Sequence, residues 1–99
     1  MSFVTAQPEV LSGAAGNLAG LGDAIAARNA AAAVPTTGLA PAASDIVSAV
    51  TASQFGQHGV TYQQIAAQAA EVHEQLVGAL RSGAGAYALT EAANAAAAG

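Results

Sequence analysis

The sequence contains no cysteine, no tryptophan and no lysine, and only 8% of its 99 residues are charged. Without cysteine the chain has no disulfide, no thiol nucleophile and no cysteine-based zinc site. Its two cations are Arg28 and Arg81, and its net charge is -4. Binding to nucleic acid needs clustered cations, and attraction to anionic lipid needs a basic face. The charge balance therefore excludes a nucleic-acid partner and argues against electrostatic attachment to a membrane.

Long hydrophobic runs are also absent. The opening segment Met1–Gly20 holds no basic residue and no continuous apolar core, so we expect no cleaved signal peptide of the general secretory type. The longest run of small apolar residues, Ala30–Val34, is too short to cross a bilayer. We expect neither a conventional leader nor a membrane-spanning helix.

The residue patterns of enzymes and metal sites are missing as well. Glu71 and Glu74 lie three positions apart on a polar helix face, where carboxylates are normally solvated. His58 and His73 are too widely separated for the spacing of a helical zinc motif, and they have no evident third ligand. A histidine beside an apolar stripe is usually packed or hydrogen-bonded in a core. No serine stands in a nucleophile-elbow context. We expect no enzymatic activity, no metal, no cofactor and no small-molecule substrate.

Bulky side chains are scarce for a chain of this length. More than half of the residues counted as hydrophobic are alanine, and the larger apolar residues are in the minority. An alanine methyl group buries far less apolar surface than a leucine or phenylalanine side chain. We therefore expect that the chain is partly disordered or that it completes its core with another chain.

Proline positions separate a first helix from a loop. We predict helix 1 over about residues 8–33, beginning at Pro8, because proline's missing N–H suits the first helical position. The segment 34–43 contains Pro35 and Pro41 and predicts a loop.

The second helix is predicted over about residues 44–82. Ser44 is a suitable N-cap, and Asp45 then lies in the first turn. Gly83 and Gly85 predict the end of this helix, so residues 83–99 are expected to form a tail.

Each predicted helix carries an apolar stripe. On helix 1, Leu11, Leu18 and Ile25 repeat at a heptad spacing. On helix 2 the stripe is wide enough to contact more than one neighbour, and polar residues such as Gln63 occupy the rest of the surface. Two helices cannot enclose an interior, so we infer that a partner supplies further helices. The residues expected at this partner interface are Leu11, Leu18, Leu21, Ile25, Ile46, Val50, Phe55, Tyr62, Ile65, Val72, Leu76 and Leu80.

Two groups of glycines each admit more than one interpretation. Gly13, Gly16 and Gly20 lie on the opposite side of helix 1, where they form a second interface or are simply tolerated on a solvent face. Gly56 and Gly59 interrupt helix 2, where they mark a kink or the close crossing of a second helix, or a locally weak helix.

In order along the chain, these features resemble the PE family of mycobacteria. The motifs that carry the resemblance are Met1-Ser2-Phe3-Val4, Pro8-Glu9, the proline-containing central loop, Tyr62-Gln63 and Ser82-Gly83-Ala84-Gly85-Ala86-Tyr87. Pro-Glu, which names the family, is a weak motif alone, whereas the ordered set is specific. The long C-terminal extension of many members has no counterpart before Gly99, so the resemblance is to a short member with a single PE domain over residues 1–99.

The resemblance implies an all-α fold and a protein partner. The fold is an antiparallel two-helix hairpin that completes a four-helix bundle with two helices of a PPE-family protein. The implied function is heterodimerisation with that protein and co-export through type VII (ESX) secretion machinery. An EspG-type chaperone is expected to hold the PPE partner and not this chain. The family's Trp-x-Gly element is likewise expected on the partner, because this chain has no tryptophan.

The resemblance also implies an export signal of the form Tyr-x-x-x-Asp/Glu after the second helix. Tyr87 and Glu91 match this pattern. In a helical tail the two residues would share one face, because they are four positions apart. We therefore expect synthesis in the cytoplasm and export to the cell surface or the extracellular space.

Two alternatives to this function stay open. One is a membrane-acting amphipathic protein of the cell envelope, which the apolar stripes permit and the lack of lysine disfavours. The other is a homo-oligomeric bundle in which the same stripes pair with copies of themselves.

Overall fold

The computed structural model describes residues 5–99, which are almost entirely helical. The first helix, α1, spans Pro8–Thr37, and the second, α2, spans Ile46–Ala98. Residues 5–99 contain no strand, so the predicted all-α fold is confirmed. The Met1-Ser2-Phe3-Val4 opening, which contributed to the family resemblance, lies outside the described residues.

Helix α1 continues beyond its predicted end at residue 33 to Thr37, and the predicted start of the loop is therefore wrong. Pro35 lies inside the last turn, where its missing N–H removes only one bond of the helix. The Thr36 hydroxyl donates to the carbonyl oxygen of Ala32 at 2.6 Å, and the Thr37 hydroxyl donates to that of Ala33 at 2.7 Å. The Gly38 N–H donates to the Val34 carbonyl oxygen at 2.9 Å, so the backbone hydrogen bonds of α1 continue past Pro35.

Helix α2 is capped by Asp45 and not by Ser44, so the predicted start is slightly too early. The backbone N–H of Ser48 donates to Asp45 Oδ1 at 2.8 Å, and the Ser48 hydroxyl donates to Asp45 Oδ2 at 2.9 Å. A side-chain oxygen that accepts from the third helical residue defines an N-cap. The bond from the Ser48 N–H, and to a smaller extent the bond from its hydroxyl, holds the pKa of Asp45 below its ordinary value of 3.8.

We expect the start of α2 to weaken in acid because of this cap. A lowered pKa in the folded state stabilises the helix above the ordinary value of 3.8, and this contribution is lost as the pH falls through the lowered pKa. Circular dichroism should therefore show the wild-type chain losing more helicity than Asp45→Asn as the pH drops below 3.8, because asparagine caps without ionising. Asp45→Ala should lose helicity at every pH. Superimposable acid titrations of the wild type and Asp45→Asn would contradict the assignment.

Helix α2 does not end at Gly83, so the predicted helix end at residue 82 is wrong. It continues to Ala98, and the expected tail after residue 82 is helical. A glycine stop requires a positive φ, and no glycine in the described part of the chain has one. Alanine-rich sequence on both sides favours helix strongly enough to offset the two glycines, each of which costs about 1 kcal/mol.

The contacts group into two compact units. The terminal unit takes in Met1–Gly22 and His73–Gly99, and the central unit is Asp23–Val72. Each unit therefore contains a segment of α1 and a segment of α2.

In the central unit the two helices run antiparallel. Asn29 of α1 bonds to Tyr62 of α2, whereas Thr37, further along α1, lies against Gly56, which comes earlier in α2. In the terminal unit the α1 carbonyl of Leu18 bonds to a side chain of α2. This pairing supports the predicted helical hairpin, and the four-helix bundle with a partner stays a prediction.

The contact between α1 and α2 is built largely from small side chains. In the described part of the chain the buried apolar residues are Ala15, Val77 and Ala84, and Gly59 is buried as well. No large side chain of residues 5–99 is fully buried. Small residues let two helix backbones approach closely, but they remove little apolar area from water.

Candidate partner-binding surface

Most of the large apolar side chains lie outside the contact between α1 and α2. Of the twelve residues expected at a partner interface, nine are between 50% and 79% exposed: Leu21, Ile25, Ile46, Val50, Phe55, Tyr62, Ile65, Val72 and Leu76. The other three, Leu11, Leu18 and Leu80, are half-buried. Isolated exposed apolar residues are ordinary, but so many on two helices leave each unit with apolar surface available to another chain. Their role in binding stays a prediction.

A polar cluster in the central unit fixes how Tyr62 is presented. The Tyr62 hydroxyl donates to Asn29 Oδ1 at 2.6 Å, and Gln63 Nε2 donates to the Asn29 carbonyl oxygen at 2.9 Å. The sequence placed Gln63 on the solvent-facing side of the helix, which is wrong, because it is half-buried against α1. With its hydroxyl satisfied, the Tyr62 ring presents mainly carbon to the surroundings.

A histidine holds the helices together in the terminal unit. His73 Nε2 lies 2.5 Å from the Leu18 carbonyl oxygen. Because a carbonyl oxygen only accepts, Nε2 must carry the hydrogen. Gly22 makes room for the ring, since a Cβ at that position would lie 2.8 Å from His73 Cδ2. His73 is thus a half-buried, hydrogen-bonded contact residue, as expected for a histidine beside an apolar stripe.

Gly56 and Gly59 lie where the end of α1 comes closest to α2. A Cβ on Gly59 would lie 2.6 Å from the Thr36 carbonyl oxygen, and a Cβ on Gly56 would lie 3.1 Å from that of Thr37. Real Cβ atoms do not approach a backbone oxygen to 2.6 Å, so Gly59 has space for no side chain. Of the interpretations left open by the sequence, the close crossing of a second helix is therefore the one that the structure supports.

Beside this crossing, the central unit has an open groove of about 470 Å³. Phe55 and Tyr62 form apolar walls, and Leu39 contributes from the loop between the helices. The groove exists because its other α2 and α1 positions include the small residues Gly59 and Ala32. Clefts of this volume with mainly apolar lining are typical binding sites.

His58 also borders the groove, and in the described part of the chain it belongs to no cluster of metal-binding side chains. It is exposed, and its ring centroid lies 6.5 Å from that of Phe55. Within residues 5–99, no group of three or more histidine, cysteine, aspartate or glutamate residues is placed to hold a metal ion. The surroundings of His58 are apolar.

The glycine ridge of helix 1 faces open space. A Cβ on Gly13, Gly16 or Gly20 would meet no atom within 4 Å. The structure of this chain alone thus leaves both interpretations of the ridge available, as a solvent face or as a second contact surface.

The two residues of the expected export signal lie on the last part of α2. Tyr87 is 50% exposed, and Glu91 is exposed four positions later on the same helix. An i, i+4 pair on a helix shares one face, so the ring and the carboxylate are presented together.

Sequence reasoning missed several residues that hold the helices together. Asn29 and Gly22 bring no periodic signal of their own, although Asn29 is a lone amide in an alanine-rich stretch. A short amide side chain beside Arg28 was the available signal, because burying an amide requires a hydrogen-bond partner. The position of Leu39 in the groove depends on the conformation of the loop, and no feature of the sequence indicated it.

Comparison with known proteins places the chain in a family. The sequence model of the PE family matches residues 4–94. The chain belongs to the PE family. This finding confirms the resemblance drawn from the motifs.

Individual PE proteins of Mycobacterium tuberculosis are similar over nearly all of the chain. PE13 of strain H37Rv is 54% identical over 98 residues, which is 99% of each protein. PE_PGRS34 of strain CDC 1551 is 60% identical over 97 residues, which is 98% of this chain but 19% of that protein. The ubiquitin-binding protein Rv1468c of strain H37Rv is 58% identical over 94 residues, or 95% of this chain and 25% of that protein. The chain therefore spans about a fifth of PE_PGRS34 and a quarter of Rv1468c.

Neither α1 nor α2, as described over residues 5–99, has an apolar stretch sufficient to cross a bilayer.

Proposed function

We propose that this PE protein is a non-enzymatic interaction module. It pairs with a PPE-family protein, and the pair leaves the cytoplasm through a type VII (ESX) secretion system. An EspG-type chaperone would act on the PPE protein and reach this chain only through it. The observation that carries the proposal is the exposure of nine large apolar residues on helices whose mutual contact is built largely from small ones.

The energetic argument follows from where apolar area is buried. Burial of a leucine, isoleucine or phenylalanine side chain contributes about 1.5–3 kcal/mol, several times the contribution of an alanine methyl group. In the free chain, side chains such as Ile65 and Val72 remain more than half exposed. Covering them with the helices of another chain would supply the stabilisation that the contact between α1 and α2 does not.

The shape of the surface also favours a helical partner. Val72 and Ile65 are separated by one heptad on α2, a spacing that keeps side chains on one helix face. A helix packed along such a face meets apolar side chains once or twice per turn, as in helical bundles.

Pairing is tested by producing the chain alone and together with a PPE-family protein. We expect the pair to co-elute as a one-to-one complex with a higher melting temperature than either chain. Light scattering separates this result from a homo-oligomer, and flotation with liposomes separates it from a membrane-acting protein. A stable helical monomer that binds no PPE-family protein would overturn the proposal.

The export signal is tested by Tyr87→Ala in a mycobacterial strain that secretes the pair. We expect the variant and its partner to remain in the cells, because the face shared by Tyr87 and Glu91 loses its aromatic ring. Leu89→Ala is the matched control, since Leu89 is 75% exposed in the same segment of α2 but lies on another face. Immunoblots of culture filtrate and cell lysate measure the outcome. Secretion of Tyr87→Ala at the level of Leu89→Ala would remove the signal from these residues.

A further inference from the structure

Both hydroxyl groups that line the groove of the central unit already donate hydrogen bonds within the chain. The hydroxyl of Thr36, one of its lining residues, already donates to the Ala32 carbonyl oxygen at 2.6 Å. The hydroxyl of Tyr62, another lining residue, already donates to Asn29 Oδ1 at 2.6 Å. Phe55 and Leu39 add only carbon, and the remaining polar side chain of the lining is the His58 ring. A guest that fills the groove therefore meets mainly apolar surface, which favours an aliphatic or aromatic side chain.

A single cation flanks this groove. Arg28 is the only arginine or lysine of the central unit Asp23–Val72, and it is exposed. It precedes the groove residue Ala32 by four positions on α1, so the two share one face and are separated by about one turn.

Arg28 has no carboxylate neighbour on its own helix. The positions three and four residues away on either side are filled by Ala24, Ile25, Ala31 and Ala32. These are the positions from which a helical residue forms an ion pair. The charge is therefore available to a group from another molecule.

Apolar surface continues from the groove on both helices. Ile25 lies about one turn before Arg28 on α1 and is 55% exposed. Ile65 lies about one turn after Tyr62 on α2 and is 59% exposed. A helix that covered the groove would also cover these side chains. A small molecule confined to the groove would leave them in water, which favours a protein segment as the occupant.

We propose that the groove anchors the partner. It receives one bulky apolar side chain from a helix of the PPE-family protein, and Arg28 pairs with a carboxylate about one turn further along that helix. This inference rests on the proposed function and deepens it, because it names the central contact and the chemistry of the partner residues. An apolar anchor in a pocket beside a charge pair is the usual composition of an interface hot spot.

The anchor is tested by filling the groove in the full-length chain. Ala32→Phe places a ring in the groove, whereas Ala31→Phe places the same ring on an exposed neighbouring position of α1 outside it. We expect Ala32→Phe to weaken binding to the PPE-family protein by about a hundredfold and Ala31→Phe to change it less than about threefold. Calorimetric titration measures binding, and circular dichroism verifies that both variants keep the helicity of the wild type.

The charge pair is tested independently of any effect on folding. Arg28→Glu should weaken binding by about tenfold, and Arg81→Glu, the same change at the other cation, should leave it within about twofold. Reversal of one acidic residue of the partner helix to lysine should restore binding to Arg28→Glu. Equal binding by Arg28→Glu and Arg81→Glu, or normal binding by Ala32→Phe, would overturn the anchor while the wild-type pair still forms. Failure of the wild type to bind any PPE-family protein would overturn the proposed function and the anchor together.

Discussion

Replacement of Leu76 by aspartate should abolish pairing with a PPE-family protein while leaving the free chain folded. Leu76 is 50% exposed in this structure, so a charge there is solvated in the free chain. Once a partner covers the position, the carboxylate loses water and gains no cation. An unpaired buried charge costs about 3–5 kcal/mol, which raises the dissociation constant by roughly two to four orders of magnitude.

The matched control for this prediction is Gln75→Asp, one position earlier. Gln75 is exposed and lies outside the apolar stripe, so the substitution adds the same charge to the same turn of α2. Co-purification and calorimetry should show normal binding by Gln75→Asp and none by Leu76→Asp, and both variants should have the helicity of the wild type. Binding of Leu76→Asp with wild-type affinity would show that the partner does not cover this face.

Replacement of Gly59 by alanine should separate the helices of the central unit. The added Cβ would lie 2.6 Å from the Thr36 carbonyl oxygen, a backbone atom that cannot rotate away. Overpacking of this kind costs about 1–3 kcal/mol, which outweighs the helix preference of alanine over glycine. Thermal unfolding followed by circular dichroism should show a lowered melting temperature.

Gly78→Ala makes the same chemical change where α2 has space. A Cβ on Gly78 would meet nothing within 4 Å, so the substitution should raise stability by about 1 kcal/mol through helix propensity alone. The two variants are therefore expected to change the melting temperature in opposite directions. A rise for both would mean that α1 and α2 are not in close contact at Gly59.

Helix type and register of the apolar stripe could be predicted from local pattern. The spacing of Leu11, Leu18 and Ile25 predicted helix 1, and proline and glycine positions placed the loop within a few residues. Helix ends were less predictable, because the backbone hydrogen bonds of α1 continue past Pro35 and the alanine-rich sequence continues α2 past Gly83. Local propensity at a single position does not report such compensation by its neighbours.

The surface left for a partner was also predictable, because it follows from composition. Two alanine-rich helices have too little surface facing each other to bury the larger apolar side chains that the same helices carry. Nine of the twelve positions predicted for a partner are exposed by half or more. The groove and the position of Arg28 beside it were not predicted, since both depend on which residues of α1 lie opposite which residues of α2.

Two helices, the outward apolar surface and membership of the PE family could be predicted from the amino-acid chain alone, because periodicity, composition and motifs are local properties. The faces on which the helices meet could not be predicted in this way, because they depend on contacts between residues far apart in the chain. The hydrogen bonds between the helices join residues 33, 34 and 55 positions apart, namely Tyr62 with Asn29, Gln63 with Asn29 and His73 with Leu18. Small residues such as Gly59 give no hydrophobic signal in the sequence. They matter because the backbone of another helix packs against them, and no local pattern shows that contact.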